Sequence, residues 1–456
     1  MIRFWIIMIV GLIFNNINIV YAQIHQWTLD ECIAYAYEHN IDIKAKELSV
    51  RQKEISVSEQ QWNYAPSISA SNSTSISNGR VLDPTTYDYV ENEIVGGNSS
   101  SINANINLFN GLRNHHNVKR AKLDLQSALF SIEQIRNDLR LNITAYFLEI
   151  LYAEENIHIA EQIVTELETQ IEKTEKRIEV KKSTIADLLQ IQSQIADANN
   201  DILMAKQAYD IARLNLCQLL EIEDYSSFCI SASQQFNDEN IDLYTSEATL
   251  FTSMHTQPEI KAAEINIAIA QQDLKIAKAS YYPTISMTVG YGSSFSDARY
   301  KMFQNIDGTY KQEIYPFLEQ YKDNANSYVS VSLNFPIFNR LTARKNVQRQ
   351  KIAVQQAEYA LQQTRKQVSK EITQALIDVK AAYAKYIGAI QAVDYANEAT
   401  RQITLKYEIG VSSVTDYNAV IRAQHQAQSR LSQTKYEYLF KRKILEYYTI
   451  SAETIK

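Results

Sequence analysis

The chain has 456 residues, is 45% hydrophobic, and carries 45 basic against 52 acidic side chains, a formal charge of −7. So mild a charge argues against nucleic acid as a partner, and Cys32, Cys217 and Cys229 are too few and too widely spaced to make a metal site. Beyond the first residues no window approaches the ~18 apolar residues of a membrane helix, so any contact with a bilayer core has to come from strands.

The chain opens with Arg3, an apolar run from Phe4 to Phe14 and the small-residue site Val20-Tyr21-Ala22. That is the pattern of a secretory signal peptide, residues 1–22, and its apolar run is too short to span a bilayer. Cleavage after Ala22 leaves 434 residues with a charge of −8. No cysteine sits at the cut, which argues against a lipid anchor there. Export puts the three thiols where disulfides can form. Two readings stay open: all three are small buried apolar side chains, or Cys217 and Cys229 are bridged.

The mature chain is written twice. Phe109-Asn110 recurs as Phe338-Asn339 and Asp187 as Asp416, both 229 positions on, while Tyr64-Ala65-Pro66 matches Tyr281-Tyr282-Pro283 at an offset of 217. The second copy therefore holds 12 extra residues between its proline and its Phe-Asn. This gives repeat 1 over 23–220, a linking segment over 221–257 and repeat 2 over 258–456.

Each copy begins with a helix. Thr28 and Glu31 form a capping box, and the helix they open is expected to run to about Tyr64; Pro258 suits the first turn of its counterpart, which runs to about Tyr282. Strand pairs come next, at 66–78 with 99–110 and at 283–296 with 328–338. From Ser101 to Leu108 the residues Ile102, Ala104, Ile106 and Leu108 alternate with Ser101, Asn103, Asn105 and Asn107. Val329, Val331, Leu333 and Phe335 alternate with Ser330, Ser332 and Asn334 in the same way. Small polar residues on one face suit a wet lumen and apolar ones a lipid-facing wall, although a half-buried soluble sheet has the same period. The joining segments Gly79–Gly97 and 297–326 hold four of the ten glycines, are rich in Asp, Asn and Tyr, and read as exposed loops.

Between Leu112 and Gln257 there is neither glycine nor proline. Long helices need that absence, since proline costs ~3 kcal/mol and glycine ~1 kcal/mol in a helix interior. Ile191, Ile195, Ala198, Ile202, Ala205, Tyr209, Ala212, Leu216 and Leu219 step 4-3-4-3-4-3-4-3, the narrow seam of a coiled coil. A return run through Ala389, Ala392, Ala396, Ala399 and Ile403 is alanine-rich. Each copy thus makes an antiparallel helical hairpin, with tips near 181–187 and 410–416. The ~70 residues from Asn110 to Lys181 would reach ~105 Å as helix, beyond the needs of a globular domain.

A strand of ~12 residues tilted at 45° rises ~28 Å, about one hydrocarbon core. Four strands cannot close a barrel, and an open edge in lipid leaves backbone groups unpaired at several kcal/mol each. The barrel must be shared: two chains would give eight strands, and three would give twelve with room for a pore.

In order and at repeat spacing, Trp27-Thr28-Leu29-Asp30-Glu31-Cys32-Ile33 with Asn40, the strand-opening Pro66 and Pro283, Leu108-Phe109-Asn110-Gly111, Pro336-Ile337-Phe338-Asn339 and Gly410-Val411-Ser412-Ser413-Val414-Thr415-Asp416 resemble the TolC-type outer-membrane efflux protein family. The resemblance implies an α+β membrane protein with an internal two-fold repeat. It implies a homotrimer whose shared 12-stranded β-barrel, four strands per chain, is continued by a long α-helical coiled-coil tunnel. It implies an equatorial region built from the 221–257 segment and the C-terminal end. The address would be the outer membrane of a Gram-negative bacterium, in contact with its lipid and with the helical part in the periplasm. Such a duct passively conducts cargo delivered by an inner-membrane pump and a periplasmic adaptor, or membrane fusion protein. The hairpin tips, Lys182, Ser183 and Thr184 with Gly410, Val411, Ser412 and Ser413, would meet that adaptor.

In that family the tunnel closes at its periplasmic tip. Asp416 falls on the first of two acidic positions ringing the constriction, and the second falls on Ala419. Tyr407 and Asp187 match a tyrosine and carboxylate whose hydrogen bond helps hold the closed state, while the expected arginine falls on Ser412. Apart from the family, three copies of Asp416 about an axis would repel one another and attract cations. The plainer reading is that Asp187 and Asp416 lie in first turns and favour a helix N-terminus by ~0.3–1 kcal/mol.

No P-loop, dinucleotide turn, HExxH or CxxC is present, and nothing implies a cofactor, a resident metal or an enzyme. Adjacent His115 and His116 on a helix point ~100° apart and cannot readily grip one metal. The alternative function is a periplasmic coiled-coil adaptor of an export system, which also carries long hairpins.

Overall fold

The computed structural model describes residues 26–82, 87, 89–231, 256–304 and 306–450. The expected signal peptide, most of the 221–257 segment and the last six residues lie outside them. In chain order the elements are β1 (Gln26–Trp27), α1 (Leu29–His39), α2 (Ile41–Trp62), β2 (Ser67–Leu82), β3 (Tyr89–Phe109), α3 (Arg113–Glu179), α4 (Ile185–Leu220) and β4 (Cys229–Ile230), then α5 (Pro258–Ala279), β5 (Thr284–Ser296), β6 (Tyr300–Gln304), β7 (Tyr310–Ile314), α6 (Phe317–Asp323), β8 (Asn326–Asn334), α7 (Thr342–Glu408) and α8 (Val414–Ile450).

The duplication reaches the element boundaries. Helices α2 and α5 both have 22 residues and start 217 positions apart, and α3 and α7 both have 67 residues and start 229 apart. The turn from strand to long helix is copied as well. Gly111-Leu112 and Arg340-Leu341 all have positive φ, between 55° and 68°. Only at Gly111 does a neighbour enforce glycine, because a Cβ there would stand 2.6 Å from the Ala279 carbonyl oxygen.

The chain divides into two units, each drawing on both repeats: one from 1–47, 131–258 and 365–456, the other from 48–130 and 259–364. The second unit holds an antiparallel sheet ordered β2-β3-β5-β8. Its register sorts the side chains by chemistry. Ile68, Ala104, Val289 and Val329 form one cross-strand row, and Ile106, Met287 and Val331 another on the same face. The opposite face carries the row Ser67, Asn105, Thr288 and Ser330, tied by a hydrogen bond of 2.7 Å from Thr288 Oγ1 to Asn105 Oδ1. The apolar face is bare: Ile68, Val329, Val331 and Leu333 are each more than 60% exposed. Among the described residues, strands β2 and β8 each pair on one side only.

Two expected loops are ordered instead. Within Gly79–Gly97 the strands run on to Leu82 and from Tyr89, because Gly79, at φ 118°, absorbs a register shift and pairing resumes at Val81 with Val90. Within 297–326 the extra residues of the second copy build the β6-β7 hairpin and α6. Gln320 of α6 is wholly buried, its amide donating to the Ser296 and Tyr315 carbonyls at 2.8 Å.

In the first unit the helix expected to run from Thr28 to Tyr64 is broken at Asn40. The capping box at Thr28 and Glu31 is formed (2.9 and 3.3 Å), but α1 stops at Asn40, whose backbone is extended. Its side chain is 5% exposed; Oδ1 accepts from the amides of Asp42 and Ile43, capping α2, and Nδ2 donates to the Leu219 carbonyl at 3.1 Å. Around this joint Cys32, Ala36, Ile43, Ile143, Phe147, Leu216, Cys217 and Leu220 form one core. All three cysteines are free thiols, so Cys217 and Cys229 are not bridged; burial pushes Cys32 up to about 12 and Cys217 to about 11.

Candidate functional site: the hairpin tips

In α4 the nine-residue seam lies inward as its spacing implied, each member buried or half-buried. In α7 the inward line is Ala382, Tyr386, Ala389, Val393, Ala396, Thr400, Ile403 and Tyr407, again stepping by four and three, while Ala392 and Ala399 face outward. The alanine run seen in the sequence straddles two faces. These seams bring the ends of α3 and α7 and the starts of α4 and α8 to the two hairpin tips, all within the first unit.

The tips are built alike. The Lys181 and Lys182 amides donate to the carbonyls of Ile178 and Arg177 at 2.9 and 2.7 Å; the Gly410 and Val411 amides donate to those of Tyr407 and Lys406 at 3.1 and 2.9 Å. Thr184 then caps α4: its amide donates to Asp187 Oδ2 at 2.8 Å and its hydroxyl accepts from the Asp187 amide at 3.3 Å. Ser413 caps α8 through its hydroxyl alone, which donates to Asp416 Oδ2 at 2.7 Å and accepts from the Asp416 amide at 3.1 Å. The copies differ one residue earlier. Ser183 Oγ donates to Asp187 at 3.0 Å, whereas Ser412 Oγ turns to the Ser413 carbonyl. Partial burial would raise the Asp187 carboxyl, but hydrogen bonds from Thr184 and Ser183 and the charge of Arg177 hold it below the usual carboxylate range.

Within one chain Asp187 and Tyr407 are not hydrogen-bonded, contrary to what the family pattern implied. The Asp187 carboxylate is taken by Ser183 and Thr184, and the buried Tyr407 hydroxyl has no partner among the described residues. Tyr407, 8% exposed, stacks on Tyr417 with ring centres 4.7 Å apart. Arg177 closes its other side: the guanidinium lies 4.1 Å from the ring centre and Nη2 donates to the Tyr407 carbonyl at 3.2 Å. Sequence reasoning misses Arg177. Its one signal is a basic side chain in the last turn of a long helix, where it also answers the helix dipole.

Asp416, Val411 and Ser413 are exposed, and so are Lys182 and Thr184. Val180 and Ile409, equivalent in the two copies, are 61% and 74% exposed beside the tips, so each tip carries an unburied apolar side chain. Among the described residues no cluster of His, Cys, Asp or Glu could hold a metal, and no helix is long and apolar enough to cross a membrane. His116 bonds Gln272 at 3.1 Å rather than sharing a ligand with His115.

Two stretches of the chain, residues 33–220 and 253–446, each covering most of one repeat, match the family of outer membrane efflux proteins. The chain belongs to this family. The resemblance drawn from the sequence is thereby borne out, and the adaptor alternative loses its support. The outer membrane protein TolC of Vibrio cholerae is 21% identical over 303 residues, which are 66% of this chain and 65% of that protein, so less than two thirds of that relative is spanned. Among solved structures, CusC superimposes with a TM-score of 0.78 at 16% identity, covering 92% of this chain and 91% of that one. The CmeC outer membrane channel of Campylobacter jejuni gives 0.75 at 16% identity, covering 93% and 86%. At such identities these structures establish the fold, a helix-rich α+β architecture with an internal repeat.

Proposed function

We propose that this chain is the outer-membrane exit duct of a tripartite efflux or type I secretion system, passively conducting cargo that an inner-membrane pump and a periplasmic adaptor deliver. One observation carries the reading: a four-stranded sheet with one face apolar and bare, the other lined by serine, threonine and asparagine, and both edges unpaired. In a bilayer each unpaired edge group costs several kcal/mol, so β8 of one copy pairs with β2 of the next until the wall closes. Three copies give twelve strands and a water-filled lumen. The exposed Trp62, Tyr64, Tyr281 and Tyr282 ahead of β2 and β5 then form an aromatic girdle.

The helical part stands in the periplasm with its tips toward the adaptor. Lys182, Ser183, Thr184, Gly410, Val411, Ser412 and Ser413, with the exposed Val180 and Ile409, make the docking surface. Three exposed Asp416 carboxylates ring the constriction and attract cations. Asp187 and Tyr407 hold the closed tip, Asp187 by fixing the turn of its own hairpin and Tyr407 by fixing the end of α7 between Tyr417 and Arg177 of the first hairpin.

The test is extraction and reconstitution of the mature chain. It should leave membranes only with detergent, run as a trimer, and open conducting pores in planar bilayers. A monodisperse, water-soluble single copy would overturn the proposal.

A further inference from the structure

Between the end of α3 and the α7–α8 pair the first unit forms a half-open pocket of about 400 Å³. Its wall is strongly cationic: the lining holds Lys173, Lys176, Arg177 and Lys182 against one acidic side chain, Glu408, while Arg177 also acts on the nearby Asp187 carboxylate. None of the four cations forms an ion pair with a carboxylate among the described residues. The ion pairs of this stretch of α3 lie further up the helix, where Glu155 and Glu161 meet Lys435 and Lys206, and Glu166 lies in hydrogen-bond contact with His425. Two buried polar groups of the lining also lack partners, the Tyr407 hydroxyl and the Gln170 side-chain amide nitrogen, and Tyr407 is more than nine-tenths buried. A buried donor without an acceptor costs ~1–3 kcal/mol, so both groups favour a ligand that supplies acceptor oxygens.

We infer that this pocket is an oxyanion-binding site, taking a carboxylate or a compact polyvalent oxyanion. Lysines supply the field and three donors each, Arg177 keeps N–H groups beyond the one it gives to the Tyr407 carbonyl, and Tyr407 and Gln170 add unpartnered polar groups to the lining. An occupant would tie α3 of the first hairpin to α7 and α8 of the second. The required chemistry is an acceptor-rich anion, whether a free solute or a carboxylate presented by a protein partner. The inference holds whether or not the chain conducts.

Calorimetry on the full chain in neutral detergent at low ionic strength tests it. Sodium citrate, sodium acetate, a helical peptide bearing glutamates and its glutamine counterpart serve as probes. Citrate should bind at one site per chain and more tightly than acetate. Losing charge-assisted hydrogen bonds in a Lys173→Gln, Lys176→Gln, Lys182→Gln triple variant should weaken it about tenfold or more. Tyr407→Phe should weaken it about threefold. The three lysines are exposed, so the triple variant should keep its helical circular dichroism. A control triple on the other exposed lysines Lys44, Lys46 and Lys53 should bind as the parent does. Citrate binding that the glutamate peptide does not displace identifies a free solute; displacement by the glutamate but not the glutamine peptide identifies a presented carboxylate. No binding of either probe, or equal loss in both triples, overturns the inference. A chain that conducts yet binds neither would leave the duct standing and remove only this site.

Discussion

Lys181 and Gly410, 229 positions apart, hold the same left-handed backbone, φ 61° and 79°, and close the same turn with the same pair of hydrogen bonds. One copy meets the need with glycine, and the other strains an ordinary side chain. A side chain in this region costs ~1 kcal/mol, and nothing lies within 4 Å of a Cβ at Gly410, so only the backbone decides. Lys181→Gly should therefore stabilise the chain by about 0.5–1 kcal/mol and Gly410→Ala destabilise it by a similar amount. Thermal midpoints of the two variants check this; shifts of the same sign would contradict it.

The strand-to-helix turn makes a sharper contrast. Gly111 and Arg340 are equivalent and both left-handed, but at Gly111 a Cβ would also press on the Ala279 carbonyl. Gly111→Ala should cost about 2–4 kcal/mol, well beyond the backbone term seen at Gly410, because the end of α5 must move. Arg340→Gly should be neutral or slightly stabilising. Melting of both variants beside Gly410→Ala tests it, and equal costs for the two glycine replacements would rule out the carbonyl contact.

Asp187 makes stability depend on pH in a defined direction. Its folded value lies below the ordinary carboxylate range, so as acid is added the unfolded chain takes up the proton first. The capping contribution, about 1 kcal/mol, is complete at neutral pH and is lost as the pH falls through the ordinary aspartate range toward the folded value. Asp187→Asn should lower the midpoint at neutral pH and flatten its fall on acidification. A variant that falls as steeply as the parent would take Asp187 out of that limb.

The repeat, the seam of α4 and the sorting of the sheet into two faces were legible because each is a pattern of residue type at fixed spacing. Asn40 was not. It sits inside an uninterrupted helical pattern, and only the Leu219 carbonyl and the amides it caps turn it into a joint. The Asp, Asn and Tyr content of 297–326 suggests a loop, although Asp307-Gly308 is a hairpin signal and the Thr309 amide bonds the Asp307 carboxylate at 3.1 Å. At the tips, the family pattern placed Asp187 and Tyr407 correctly in the hairpins but could not tell which partners their polar atoms would choose. Local capping won, since Ser183 and Thr184 lie within four residues of Asp187.

Asp416 caps α8 through Ser413 and is still exposed, so its charge is available to the space beyond the tip. If three copies surround the constriction, the ring should hold divalent cations and obstruct current. Asp416→Ala should weaken cation block of single-channel current in planar bilayers, with a small loss of thermal stability from the broken cap. Unchanged block would reduce Asp416 to its capping role.

If the sheet is part of a membrane wall, neighbouring residues of β8 separate lipid from lumen. Val331 and Ser330 are both exposed in a single chain and differ only in the face they occupy: Val331 lies in the row with Met287 and Ile106, Ser330 in the row with Thr288 and Asn105. A soluble sheet with both faces in water would take an arginine at either position with little change. In a membrane wall the cost is one-sided, about 2–4 kcal/mol for arginine at mid-bilayer on the lipid face and little on the lumen face. Val331→Arg should therefore sharply reduce the folded trimer recovered from the outer-membrane fraction, while Ser330→Arg should fold and instead alter the ion selectivity of the pore. Equal recovery of both variants would mean that the apolar face meets something other than lipid.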